Sequence, residues 1–135
     1  MRFITALSFV VLLSGCAPLD SHVTEGASQL QLRQIQTREY DAITKERALR
    51  AVLATMQDLD FVIDKADLDL GSVTGTRLSH VVIKMTVIVR ERGADGVAVR
   101  ANANLNDRPV ESPESYQSFF TSLDKSIFLL QNKVD

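Results

Sequence analysis

The chain has 135 residues, enough for one domain. Its 15 Lys and Arg against 17 Asp and Glu leave a net charge of −2, a mildly acidic balance that argues against general nucleic-acid binding. Tryptophan is absent, the two histidines are His22 and His80, and Cys16 is the sole cysteine. An intramolecular disulfide is therefore excluded, a histidine-based metal or catalytic cluster has too few members, and no cofactor is expected.

The first residues carry the strongest signal. Arg2 is a minimal positive region, and Phe3 to Leu13 is an apolar run of eleven residues. Such a run suits the core of an export signal and is too short to cross a bilayer of roughly 30 Å. It ends in Leu13-Ser14-Gly15-Cys16, which resembles the bacterial lipobox: a large apolar residue three before the cysteine, then small residues that fit a membrane-embedded peptidase. The resemblance implies that residues 1–15 are a signal peptide, that Cys16 Sγ takes a diacylglycerol, and that the new amine is acylated. Several acyl chains, at about 0.8 kcal/mol per buried methylene, give durable anchoring. The alternatives are an ordinary signal cleaved near Cys16-Ala17, or a buried N-terminal helix. Ala17 stands where an inner-membrane retention signal would show Asp, so by likeness to enterobacterial sorting the expected location is the periplasmic face of the outer membrane.

Ala17 to Ser28 is polar and aperiodic, with Pro18 and Gly26, and reads as a flexible tether running from Cys16. His22 lies in it and is expected to be solvated. Gln29 to Glu39 alternates loosely through Leu30, Leu32 and Ile35, which predicts an edge strand. Thr44 can cap a helix in which Ala48, Leu49, Val52, Leu53, Met56 and Leu59 recur at helical spacing. That helix should stop near Asp60, since aspartate tolerates a left-handed backbone better than most residues.

Phe61-Val62-Ile63 then predicts a short strand, Asp64 to Asp67 a turn, and Leu68 to Arg77 a second strand in which Gly71 and Gly75 mark bulges or close backbone approaches. His80 to Arg90 alternates most clearly, with Val81, Ile83, Met85, Val87 and Val89 on one face. Gly93 and Asp95-Gly96 signal a hairpin. Val97, Val99, Ala101, Ala103 and Leu105 form the apolar face of the next strand. Ser112-Pro113-Glu114 opens a second helix that presents Tyr116, Phe119, Phe120, Leu123, Ile127 and Leu130 on one stripe and ends near Gln131. The expectation is an α+β domain over residues 29–135, ordered β-α-β-β-β-β-α, with an antiparallel sheet of four to five strands and both helices on one face.

Several groups invite a chemical reading. Asp58, Asp60, Asp64, Asp67 and Asp69 are the densest acids, but their spacing is not that of a calcium loop, and they read as helix-end and turn residues. Gly71 to Thr76 lacks the Lys-Ser/Thr ending of a phosphate loop and no helix follows it. His80 has no serine, cysteine or paired acid that the sequence links to it, so no nucleophilic triad and no catalytic residue is expected. Lys84, Arg90 and Arg100 are expected to share the face opposite the helices, with Arg77 nearby, interrupted by Val82 and Ile88. This is either a solvated face or a docking surface for an acidic partner or an anionic headgroup. Tyr116, Phe119, Phe120 and Phe128 either pack the core or line a lipid pocket between helix and sheet.

Three segments carry a wider resemblance. Gln36-Thr37-Arg38-Glu39-Tyr40-Asp41, the run Ala54 to Gly75 around Met56-Gln57-Asp58-Leu59-Asp60-Phe61-Val62-Ile63-Asp64, and Tyr116-Gln117-Ser118-Phe119-Phe120 resemble small proteobacterial lipoproteins of uncharacterised function. Where that family would show Leu-Gly-Phe at the helix end, this chain has Leu59-Asp60-Phe61. The helix–strand–turn–glycine pattern is also similar, at the level of fold, to the helix-grip domains of the C-subunit lipoprotein of the outer-membrane β-barrel assembly machinery, which implies an architecture and not a function.

The expectation is thus a non-enzymatic envelope lipoprotein, joined to a membrane by its N-terminal lipid, that binds an envelope protein as an accessory module. The alternative is a carrier or sensor of an apolar ligand held between helix and sheet.

Overall fold

The computed structural model describes residues 21–132, with side chains from Ser28 onward. Leu13, Ser14, Gly15 and Cys16 lie outside the described residues, as does the first part of the expected tether. The elements are α1 (Ser21–Ile35), β1 (Thr37–Tyr40), α2 (Lys45–Asp58), β2 (Val62–Asp67), β3 (Ser72–Leu78), β4 (Val82–Arg92), β5 (Gly96–Leu105), β6 (Arg108–Pro109) and α3 (Pro113–Gln131). The strands form one antiparallel sheet in the order β1-β5-β4-β3-β2, and β6 pairs with the end of β5. The α+β class and the antiparallel sheet agree with expectation; the element count and order differ.

The first difference is α1. It begins inside the segment expected to be a tether and replaces most of the strand expected over Gln29–Glu39. Leu32 and Ile35 pack against the core while Leu30 stays exposed. The burial period is therefore three, a helical spacing, and the Gln, Leu and Arg that fill the segment are good helix formers. Only Thr37–Tyr40 is extended, as an edge strand beside β5.

The α2 helix follows expectation closely. Thr44 Oγ1 accepts a hydrogen bond from the Arg47 N–H at 3.3 Å. At the other end Asp60 takes φ +64°, Phe61 N–H donates to Met56 O and Asp60 N–H to Gln57 O. This is the paired C-terminal closure that glycine usually serves, and here Asp60 adopts it.

Strand β2 continues through the expected turn. Asp64 sits in a register shift between Ile63 and Lys65, and its carboxylate accepts from Thr76 Oγ1 at 2.7 Å. The turn falls at Leu68–Gly71, where Asp67 Oδ1 accepts from Leu70 N–H and Gly71 takes φ +71°. Gly75 is a close approach: a Cβ there would lie 2.9 Å from Met56 Cε and 3.0 Å from Val62 O. Strand β6 was not expected. Asn106 and Asp107, with φ of 48° and 66°, make a two-residue hairpin turn of the kind that needs two left-handed residues.

One sheet face, carrying Val73, Met85, Val87, Val89, Val97, Val99, Ala101 and Ala103, packs against α2 and α3, whose Leu49, Val52, Met56, Phe119, Phe120 and Leu123 complete the core. Tyr116 is buried within it. Its hydroxyl donates to Val110 O at 2.7 Å and accepts from Gln36 Nε2 at 3.1 Å and Ala103 N–H at 3.2 Å. Edge strand β1 is held to α3 by Asp124, which accepts from Arg38 Nη1 and from the Tyr40 hydroxyl, both at 2.6 Å. Burial, then the bond to Asp124 and its negative charge, push the Tyr40 phenol far above its ordinary range, with Arg38 opposing.

Two outcomes follow. Tyr116→Phe strands two donors in the core and one half-buried acceptor and should cost about 3 kcal/mol in urea unfolding, since each unmet buried group costs roughly 1–3 kcal/mol; a loss near zero would contradict the role given to the hydroxyl. Because the folded-state pKa of Tyr40 is raised, its contribution is complete below the ordinary phenol value of about 10 and is lost as pH rises beyond it. Stability of the wild-type chain should fall more steeply above pH about 10 than that of Tyr40→Phe, measured by denaturant midpoints across that range.

Candidate functional site

Strands β3, β4 and β5 reach one end of the domain where α2 has finished and α3 is starting. The helices do not cover the sheet completely there, and a cleft of about 470 Å³ opens between them. Its floor is Ile83 and Met85 from β4 with Ala103 and Leu105 from β5. One wall is Leu59 and Phe61, carried by the closure at the end of α2. The other is the first turns of α3, through Ser115, Ser118 and Phe119, and the connection through Arg108 to Ser112. Small side chains make the space: Ala103 leaves room above the floor, and the two serines leave room beside Phe119.

The polar groups stand at the edges. The Arg77 guanidinium lies over the Phe61 ring, 5.2 Å from its centroid and within the roughly 6 Å over which such contacts act, and Nη1 donates to Leu59 O at 3.3 Å. It thereby ties β3 to the end of α2 as part of the wall. Arg108 and Glu111 are exposed at the mouth. The volume lies within the usual range of small-molecule sites, roughly 300–1,000 Å³, and the largely apolar lining with a few polar groups is also usual for them.

The sequence-expected residues distribute unevenly around this cleft. Of the four aromatics, only Phe119 lines it. Tyr116 and Phe120 are core residues, and Phe128 is exposed near the far end of α3. Lys84, Arg90 and Arg100 do share the open sheet face, and all three are exposed. The register pairs Ile88 with Arg100 and Arg90 with Ala98, so Arg90 and Arg100 are diagonal neighbours around Ile88. Lys84, opposite Asn104, stands four residues from Ile88, about 13 Å along the strand. Between them runs a polar row in which Thr74 and Thr86 share a hydroxyl hydrogen bond of 3.0 Å. Arg77 is not near this group: paired with Ile83, it lies on the helix-covered face.

The acids do not gather. Asp58 and Asp60 lie at the end of α2, while Asp67 and Asp69 lie at the opposite end of the sheet, where Asp69 O accepts from Lys45 Nζ. Gly71 closes the β2–β3 turn and Ser72 to Thr76 are already strand β3, and His80 is exposed in the β3–β4 turn. Among the described residues no group of three or more His, Cys, Asp or Glu could hold a metal ion. No helix among them is long and apolar enough to cross a membrane. At Ser112 the helix cap is also other than expected: its hydroxyl donates to Glu114 Oε2 at 2.6 Å instead of capping the backbone, and that bond lowers the Glu114 pKa.

Leu59, Phe61, Ile83 and Leu105 were legible as apolar positions, but not as the lining of a gap. The available signal was the small Ala103 on a buried strand face and the serines beside Phe119 on α3.

No family model matches the chain, and no curated protein matches it. Among solved structures it is similar to a DUF4468 family protein from Bacteroides ovatus, at 9% sequence identity and a TM-score of 0.31, over 70% of this chain and 80% of that one.

Proposed function

We propose that this chain is a non-enzymatic envelope lipoprotein, anchored through Cys16 at the periplasmic face of the outer membrane, that holds an apolar ligand in the cleft between α3 and the sheet. The observation that carries this reading is the cleft of about 470 Å³ floored by Ile83, Met85, Ala103 and Leu105. An acyl chain suits it. Each methylene moved from water into such a lining gains about 0.8 kcal/mol, while Arg108 at the mouth can meet a negative headgroup that stays in water.

Docking of an envelope protein on the open sheet face is the second reading, favoured by the exposed Arg90 and Arg100 flanking Ile88. It has a smaller apolar contribution, and Lys84 stands apart from the pair.

Produced from Ala17 onward without the lipid and purified without detergent, the protein should carry a fatty-acid- or lipid-sized adduct in native mass spectrometry. Ser118→Trp, which fills the cleft from an exposed position on α3, should lose the adduct while keeping its unfolding midpoint. A wild-type chain that binds no fatty acid or lipid, even when these are supplied, would sink the ligand reading. Capture of one envelope complex, lost when Arg90 and Arg100 are changed to Glu, would establish the second.

A further inference from the structure

The cleft opens at the end of the domain that also carries an uncovered apolar tip. Leu78 and Val82 face each other across the β3–β4 pairing on the open side of the sheet, 75% and 46% exposed. Val62, 71% exposed, pairs with Thr76 one step away on the same side. Leu105 is exposed by 38% at the cleft. Apolar side chains thus emerge on both faces of the sheet at this one end.

The opposite end has exposed apolar residues too, Leu68 and Leu70 in the β2–β3 turn and Phe128 and Leu129 on α3. The path of the chain decides between the two ends. Ser28 and Gln31 of α1 stand beside Glu111 and Pro113, next to the cleft. From Cys16 to Ser21 the chain spans at most about 18 Å, and from Ser21 to Ser28 the helix adds about 10 Å. An anchor on Cys16 therefore lies within roughly 28 Å of the cleft end. The far end is about 33 Å further along β4, ten residue steps away. That reach takes in the end carrying Leu78 and Val82 and falls short of the end carrying Phe128 and Leu129.

We infer that the domain rests on the bilayer that holds its anchor, with Leu78 and Val82 dipped into the surface and the cleft open toward the lipid. This rests on the anchor and cleft readings above, and adds the source of the ligand: the membrane itself. Arg77, Lys84 and Arg108 near this end are outnumbered by Asp58, Asp60, Asp64, Asp107 and Glu111, so apolar contact, not charge, holds the surface. Added salt should therefore not weaken the contact.

The test uses the full chain with its lipid, reconstituted in phosphatidylethanolamine vesicles containing a minority of phosphatidylglycerol. With Cys16 alkylated by its lipid, Leu78→Cys and, separately, Leu129→Cys each present one thiol for an environment-sensitive fluorophore. The label at position 78 should shift to the blue and be quenched several-fold more by a nitroxide lipid than the label at 129. Equal quenching at both positions, stronger quenching at 129, or none at either overturns the orientation even though the chain floats with the vesicles. A chain that fails to float, and shows no acyl mass, overturns the anchor reading and this inference with it. Loss of the lipid adduct from the cleft alone leaves the labels' depths unchanged and overturns only the ligand source.

Discussion

One hydroxyl joins three parts of this fold that are far apart in sequence. Tyr116 Oη meets the side chain of Gln36, the backbone N–H of Ala103 and the carbonyl of Val110. These belong to the α1–β1 junction, strand β5 and the connection into α3. Gln36 and Ala103 sit where water is excluded, so each depends on the tyrosine for its hydrogen bond, while Val110 is half-buried at the cleft. The aromatic ring fills the core and the hydroxyl fixes the register in which α3 lies on the sheet. Ala103 and Val110 also line the cleft. The geometry of the cleft is therefore a consequence of this contact, because moving α3 by a fraction of a turn would bring Phe119 over the floor or away from it.

From that constraint the division of labour between the two sheet faces follows. The covered face supplies the core and, where the helices end, the cleft. The open face is a pleated polar surface whose threonines hydrogen-bond across strands and on which Lys84 stands apart from the Arg90 and Arg100 pair. Cations spread over a wet face hold a partner weakly and lose most of that hold at physiological salt. An apolar cleft retains its attraction, since apolar burial does not depend on screening. The anchor proposed on Cys16 would shorten the search, since a domain held within a few tens of ångströms of a bilayer meets lipid at a high effective concentration.

Much of this architecture was legible from residues 44 to 105 and 112 to 131. Helix α2 declared itself through its apolar stripe and through Thr44 and Asp60 at its ends, and the structure has both residues in those roles. Alternation over Val81 to Val89 and Val97 to Leu105, with the glycines of the hairpin between them, fixed β4 and β5 to within a residue or two. Segment 29–39 misled because Leu30 and Leu32 satisfy a period of two over too few residues, while the true burial contacts are Leu32 and Ile35. The acid-rich stretch after Phe61 misled because polar residues on an exposed edge strand look like a turn. Strand β6 hid in Asn106-Asp107, a left-handed pair without glycine. The cleft was hidden for a different reason. Hydrophobic patterning identifies which side chains turn inward, but it holds no information on whether the facing side chains meet.

The central claim is that the space between α3 and the sheet holds an acyl chain. Intermolecular nuclear Overhauser effects, measured between a carbon-13-labelled fatty acid and the methyl groups of the protein, test it most directly. The account predicts cross-peaks to Leu59, Ile83, Met85, Leu105 and Val110, and none to Val62 or Leu70. Cross-peaks confined to Val62, Leu78 and Val82, or a bound fatty acid that leaves every cleft methyl untouched, would contradict it.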